Sequence, residues 1–210
     1  MTYSHLDSAM QNRVSWHTGR TVGTKRPLTQ KQIRAIRFYL DREKRFRDRA
    51  PFDLAIDSKL RGCDLVKLRV GGLVAGSEVR TRAMIIQQMT GRPVQFEITA
   101  DASASLATWL LRRSNTIDKF VFPSRILLGQ PLSTRQYAHL VDEWVTAGGL
   151  RREDYGTHSM RRTKTAMIYR MTGNLRAVQI LLGHSKIENT VRNLGVVVED
   201  ALVLVERVEI

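Results

Sequence analysis

Residues 181–193 read Leu-Leu-Gly-His-Ser-Lys-Ile-Glu-Asn-Thr-Val-Arg-Asn, and twenty-odd positions upstream the chain reads His158-Ser159-Met160-Arg161. Glycine after an apolar helical run favours a C-cap, because it adopts the left-handed conformation without a Cβ penalty. Gly183 therefore ends a helix over 175–182, and residues 187–194 form a short helix after it. Upstream, 158–172 reads as a further helix, split from 175–182 at Gly173-Asn174. Two imidazoles and a guanidinium thus sit at helix ends, where a fold can bring them together.

Outward from this stretch the pattern stays mostly helical. Tyr137, Leu140, Val141, Trp144 and Val145 follow the i, i+3, i+4, i+7, i+8 spacing of a helix face. Leu106, Trp109 and Leu110 make another face. Thr29 is an N-cap candidate ahead of Ile33, Ile36 and Leu40, and residues 50–68 read as helical with a break near Arg61-Gly62. The period changes in between. Residues 79–87 suit a strand, and Val94, Phe96 and Ile98 alternate with Gln95 and Glu97. Met89-Thr90-Gly91-Arg92 is the turn joining the two, and residues 69–74 are a candidate third strand. Val198, Ala201, Leu202 and Val205 mark a last amphipathic helix, expected around 197–207 and, with Glu199, Asp200 and Glu206, expected to dock on protein rather than on an anion. The expected fold class is mainly α with a small antiparallel β-sheet, an α+β arrangement. It divides into a flexible basic arm over 1–27 and one domain over 28–210.

Of 210 residues, 34 are Lys or Arg and 20 are Asp or Glu, a net charge of +14 and a pI near 10.7. Such an excess selects a polyanionic partner, above all nucleic acid. Residues 1–50 carry a net +8 and 151–192 a net +6, whereas 193–210 carry a net −3. Cys63 is the single cysteine, which excludes an intramolecular disulfide and a cysteine-rich metal site; its apolar neighbours suggest a small core residue. No apolar run approaches the ~20 residues of a membrane span and no signal peptide is visible, so the expected location is cytoplasmic, with no membrane partner.

His158-x-x-Arg161 followed by Gly183-His184 resembles the C-terminal signature of the tyrosine recombinase (phage integrase) family. The resemblance covers about 28–210 and implies that family's catalytic-domain fold, a double-stranded DNA partner, and DNA recombination or integration without a cofactor or metal. Such chemistry needs a nucleophile, donors for the charge developing on phosphorus, and an acid for the leaving 5′-oxygen. By resemblance, Leu60-Arg61-Gly62-Cys63-Asp64-Leu65 carries the first phosphate-clamping arginine, Arg61, with Asp64 at the acidic position that orients an arginine or caps the helix. Arg161 is the second clamp, His158 a proton-transfer or positioning group, and His184 a donor to phosphate. The family's nucleophilic tyrosine lies nine residues after that last histidine, where this chain has Asn193. The turn residues match a Lys-Thr-Gly turn, so Met89 stands where the family places its acid, a lysine. An amide has no ionisable hydroxyl. The expectation is a DNA-binding protein of recombinase descent, impaired in strand cleavage. The rivals are an active recombinase that borrows a nucleophile from a partner subunit, as a homo- or hetero-oligomer on DNA, and a basic RNA-binding or assembly protein. Arg80, Arg82, Arg92, Arg162, Lys164 and Lys186 are the candidate contacts to the DNA backbone.

Overall fold

A computed structural model describes residues 25–113, 119–127 and 129–194. Most of the basic arm and the helix expected at 197–207 lie outside the described residues. The described elements are α1 (Gln30–Arg42), α2 (Phe46–Ser58), α3 (Gly62–Val66), α4 (Val70–Leu73), β1 (Val74–Ala75), β2 (Glu78–Val79), β3 (Arg82–Ile86), β4 (Pro93–Glu97), α5 (Ala100–Leu111), α6 (Thr134–Ala147), α7 (Thr157–Thr172), α8 (Leu175–Leu182) and α9 (Ile187–Leu194).

Helix α1 begins as its sequence demands. The Gln32 amide donates to Thr29 Oγ1 at 3.3 Å and the Thr29 amide to Gln32 Oε1 at 2.8 Å, a reciprocal cap that satisfies two otherwise orphaned donors. Ile33, Ile36 and Leu40 turn inward. Helix α2 is buried on every side from Ala50 to Ser58, so no amphipathic period marks it. It packs against α1, α5 and α7 and forms the axis of the domain. Phe52 meets Trp144 of α6 edge to face at 5.6 Å between ring centroids, and Trp144 meets Tyr137 at 6.2 Å. The break expected near residue 61 falls at Lys59, whose φ of +56° stops α2 and redirects the chain into α3.

The hairpin β3–β4 is antiparallel, with Ala83 opposite Phe96 and Ile85 opposite Val94 on the inner face. Residues 69–74 correct the expectation of a third strand beside it. Val70–Leu73 is a helical turn, and only Val74–Ala75 is extended, pairing with Glu78–Val79 in a separate two-stranded sheet. Backbone bonding explains the difference. The Val70 amide donates to the Lys119 carbonyl at 3.0 Å and the Val121 amide to the Leu68 carbonyl at 2.8 Å, so the chain around residue 70 is engaged by the loop before α6 and not by the hairpin.

The end of α2, the start of α3, the hairpin turn, the first turn of α7 and the end of α8 all meet at one edge of the domain. Gly183 fixes the last of these junctions. Its φ is +66°, and a Cβ there would lie 2.5 Å from Val94 Cγ2 of β4. Only glycine allows both that backbone and that approach.

Candidate active site

Arg161 lies at the centre of this edge and is 3 % exposed. It projects from the first turns of α7, which Ser159 caps by accepting from the Gly156 amide at 3.1 Å. Its Nη1 donates to the Lys59 carbonyl at 2.7 Å and its Nη2 to the Leu182 carbonyl at 2.9 Å, with His184 Nε2 3.4 Å from the same nitrogen. The left-handed backbone at Lys59 and the C-terminal turn of α8 thus hold one guanidinium. Burial lowers the Arg161 pKa to about 10, with repulsion from Arg61 the next cause, so it stays charged at neutral pH.

Arg61 caps α3 and is held from the hairpin side. Its Nη1 donates to Gln87 Oε1 at 2.8 Å, an oxygen that also accepts from Thr90 Oγ1 at 2.9 Å. Gln87 Nε2 approaches the Leu182 carbonyl at 3.4 Å, so one buried amide links the first arginine, the hairpin turn and the strut that holds the second arginine. Asp64 serves the same junction, accepting from the Gln88 amide at 2.9 Å. Gln87 was missed by the sequence reading, although its parity with the inward-facing Ala83 and Ile85 marks it as a polar side chain turned into the core.

Arg61, Arg161, His158 and Met89 line a single cleft of about 240 Å³ with Leu60, Cys63 and Tyr137. Cys63 is half-buried at this cleft, which corrects its reading as a core residue. Met89 is 74 % exposed at its rim. Tyr137 is wholly buried, and burial pushes its phenol well above the usual range, so its ring serves as wall and not as nucleophile. Tyr155 is buried with its hydroxyl accepting from Gln32 Nε2 at 3.1 Å.

The two histidines are biased towards the neutral form. Burial lowers His184 to about 4, followed by the charges of Arg161 and Arg61. Its Nδ1 lies 3.1 Å from Thr190 Oγ1 of α9. A guanidinium only donates, so in any hydrogen bond between the two side chains Nε2 is the acceptor, whereas the tautomer protonated at Nε2 leaves that N–H for an anion and lets Nδ1 accept from Thr190. His158 is exposed at the rim; the desolvated part of its ring lowers its pKa first, then Arg162, Arg161 and Arg61. An anion entering the cleft would cancel that repulsion and raise both.

Asn193 sits in the last turn of α9, half-buried, with Oδ1 buried and without a hydrogen-bond partner. Of the basic residues expected on DNA, Arg80, Arg82, Arg92 and Lys186 are exposed. Arg162 and Lys164 are turned inward. Arg162 is 8 % exposed, with Nη1 on the Lys25 carbonyl at 2.7 Å and Nη2 on the Arg192 carbonyl at 3.0 Å. Lys164 pairs with Asp57 at 2.8 Å. Both follow α7 as it enters the core, so their donors are taken up by neighbouring elements. Among the described residues no cluster of His, Cys, Asp or Glu could hold a metal, and no helix is long and apolar enough to cross a membrane.

Buried Arg161, half-buried Arg61, His158 and the hairpin-turn residue Met89 line one small cleft, with His184 set against Arg161 behind it. Residues 26–194 match the phage integrase family, and the chain belongs to it. It is similar to tyrosine recombinase XerC of Chromobacterium violaceum, 30 % identical over 146 residues that cover 69 % of this chain and 46 % of that protein. A similar match is found to tyrosine recombinase XerC of Xylella fastidiosa, 27 % identical over 69 % of this chain and 47 % of the relative. The chain spans about half the length of the curated relatives it matches. Its fold is that of XerA recombinase (TM-score 0.71, 14 % identity, 90 % of this chain and 67 % of that one). It is equally that of XerH site-specific recombinase in a post-cleavage complex with palindromic difH substrate (TM-score 0.67, 19 % identity, 88 % and 54 %).

Proposed function

We propose that this chain is a double-stranded-DNA-binding member of the tyrosine recombinase family that grips a backbone phosphate but does not form the 3′-phosphotyrosine link. The carrying observation is a division within one site. Arg61, His158 and Arg161 line one cleft and His184 lies 3.4 Å from Arg161, which supports the phosphate-binding roles that the resemblance implies for them, while the position matched to the acid holds Met89 and that matched to the nucleophile holds Asn193. Losing a general acid alone costs ~10²–10⁴ in rate; losing the nucleophile removes the covalent route altogether. Such a protein occupies recombination sites in the cytoplasm without turning them over. Relatives of this fold bound to their DNA, including a lambda integrase dimer on a core site, support DNA and further recombinase subunits as partners. Affinity for duplex DNA should fall steeply with salt, log K dropping by roughly 0.9 per phosphate neutralised per log unit of salt.

The test is a nicked suicide substrate incubated at length with the full chain, an Arg161→Ala control, and Asn193→Tyr alone and with Met89→Lys. Expected are no covalent adduct from the unmodified chain and an adduct from the double substitution. A wild-type adduct that the control loses makes this an active recombinase. Slow nicking without an adduct would mean water attack at the gripped phosphate. Preference for RNA over duplex DNA in competition would overturn the DNA assignment.

A further inference from the structure

Arg162 is a buried arginine whose described partners are backbone carbonyls, and the two carbonyls belong to segments distant in sequence. Nη1 holds the Lys25 carbonyl, where the chain enters from the basic arm, and Nη2 holds the Arg192 carbonyl, in the last turn of α9 and one residue before Asn193. The third donor, Nε, is buried without a partner, and so is Oδ1 of Asn193. Among the described residues no carboxylate pairs with this guanidinium, and burial lowers its pKa. A cation near the last carbonyls of a helix is well placed for the helix dipole, yet its burial depends on both segments covering it. Removing either lets water compete for the other bond.

The arm segment has its own fastenings. Lys25 Nζ donates to the carbonyls of Arg152 and Glu153 at 3.2 and 2.6 Å, and the Leu28 amide donates to Thr163 Oγ1 at 2.9 Å. Helix α9 is only eight residues long and has one other tie to the site, Thr190 with His184. An eight-residue helix is marginal without tertiary contacts.

We propose that Arg162 is a positioning residue that couples the seating of the N-terminal arm to the seating of α9, and with it of position 193. Disturbance of the arm is transmitted through this one guanidinium to the helix that carries the family's nucleophile position. The coupling belongs to the protein alone and does not depend on the DNA-binding reading.

Hydrogen exchange on the full-length chain tests it in four proteins: wild type, Lys25→Ala, Arg162→Met and the double variant. Lys25→Ala removes a side-chain fastening to the carbonyls of Arg152 and Glu153 at the surface, so the fold is expected to survive. It should speed exchange of the amides of residues 191–194 by roughly tenfold, the scale of one hydrogen bond to a charged group. Arg162→Met should speed exchange at both 25–28 and 191–194, and adding Lys25→Ala should then leave 191–194 unchanged. Exchange of the amides around Trp144 reports whether the core is intact. An unaltered α9 in Lys25→Ala overturns the proposal. So does an equal effect of Lys25→Ala with and without Arg162, since the coupling would then run by another route. If Arg162→Met does not fold, the Lys25→Ala result in the wild-type background decides alone.

Discussion

The two halves of the site are built differently. The half proposed to grip phosphate has its two arginines anchored in the core: Arg161 reaches from α7 to the backbone of two other elements, and Gln87 locks Arg61 to the same strut. The half that carries the chemistry in the resemblance is peripheral. Met89 is exposed at a hairpin turn, and Asn193 rides on a short helix tied by Thr190 and Arg162. Replacing Arg61 or Arg161 breaks bonds that also hold the fold together, whereas the peripheral positions can change while the domain stands.

The contrast breaks first at Arg161. Arg161→Ala strands the Lys59 carbonyl, leaves the Leu182 carbonyl only the long bond from Gln87 Nε2, and opens a cavity, offset in part by relief of the repulsion with Arg61. A loss of about 3 kcal/mol of stability is expected, together with weaker DNA binding. Urea unfolding measures it; a variant as stable as the wild type would show that the arginine only binds and does not build. Gly183→Ala follows, at about 2 kcal/mol, from the left-handed backbone and the close approach of Val94. A shift in Tm of only a degree would mean that the α8–hairpin junction gives way more readily than its packing suggests.

The helical frame was legible because its faces repeat: the caps at Thr29 and Gly183, the 137–145 face and the split at Gly173 all appear where their residues place them. The first turn of α2 was not, since its N-cap, Arg45, makes no side-chain cap and Pro51, inside the helix, reads as a start at residue 50. Arg61, His158, Arg161 and Met89, singled out in the sequence, line one cleft, but their wiring was not legible. Sequence gives no sign that Arg162 turns inward while Arg161 lines the cleft, because the direction of a side chain on a buried helix depends on what packs against it. The third strand failed for the same reason: the partner of residues 68–70 lies some fifty positions away, at 119–121.

A smaller effect sharpens the electrostatics of the gripping half. With His184 lowered to about 4 from an ordinary 6.5, the unfolded chain binds its proton first as pH falls. This contribution to stability is complete above pH 6.5 and is lost as pH falls from there towards 4. His158, also lowered, acts in the same direction. NMR titration of the His184 ring should give a midpoint near 4 that rises when inorganic phosphate is added. An ordinary midpoint near 6.5 would mean that the ring is not pressed against the two arginines.

The smallest effect on stability, and the most specific on binding, belongs to Met89→Lys. The side chain is exposed and lies at the rim of the cleft. Its replacement should change stability by no more than ~0.5 kcal/mol, as for surface sites generally. A lysine there adds one cation beside the phosphate site, so the salt dependence of duplex binding should steepen by roughly 0.9 log units per log unit of salt, one further phosphate contact. Binding isotherms at several salt concentrations, run beside Arg61→Ala, separate the two halves of the site. Arg61→Ala should lower the slope and also destabilise the domain through Gln87 and Thr90, whereas Met89→Lys should raise the slope alone. If Met89→Lys leaves the slope unchanged, the hairpin turn does not face bound DNA, and the missing acid would owe nothing to the geometry of the cleft. If it destabilises the domain as much as Arg61→Ala does, the division between an anchored and a peripheral half is wrong.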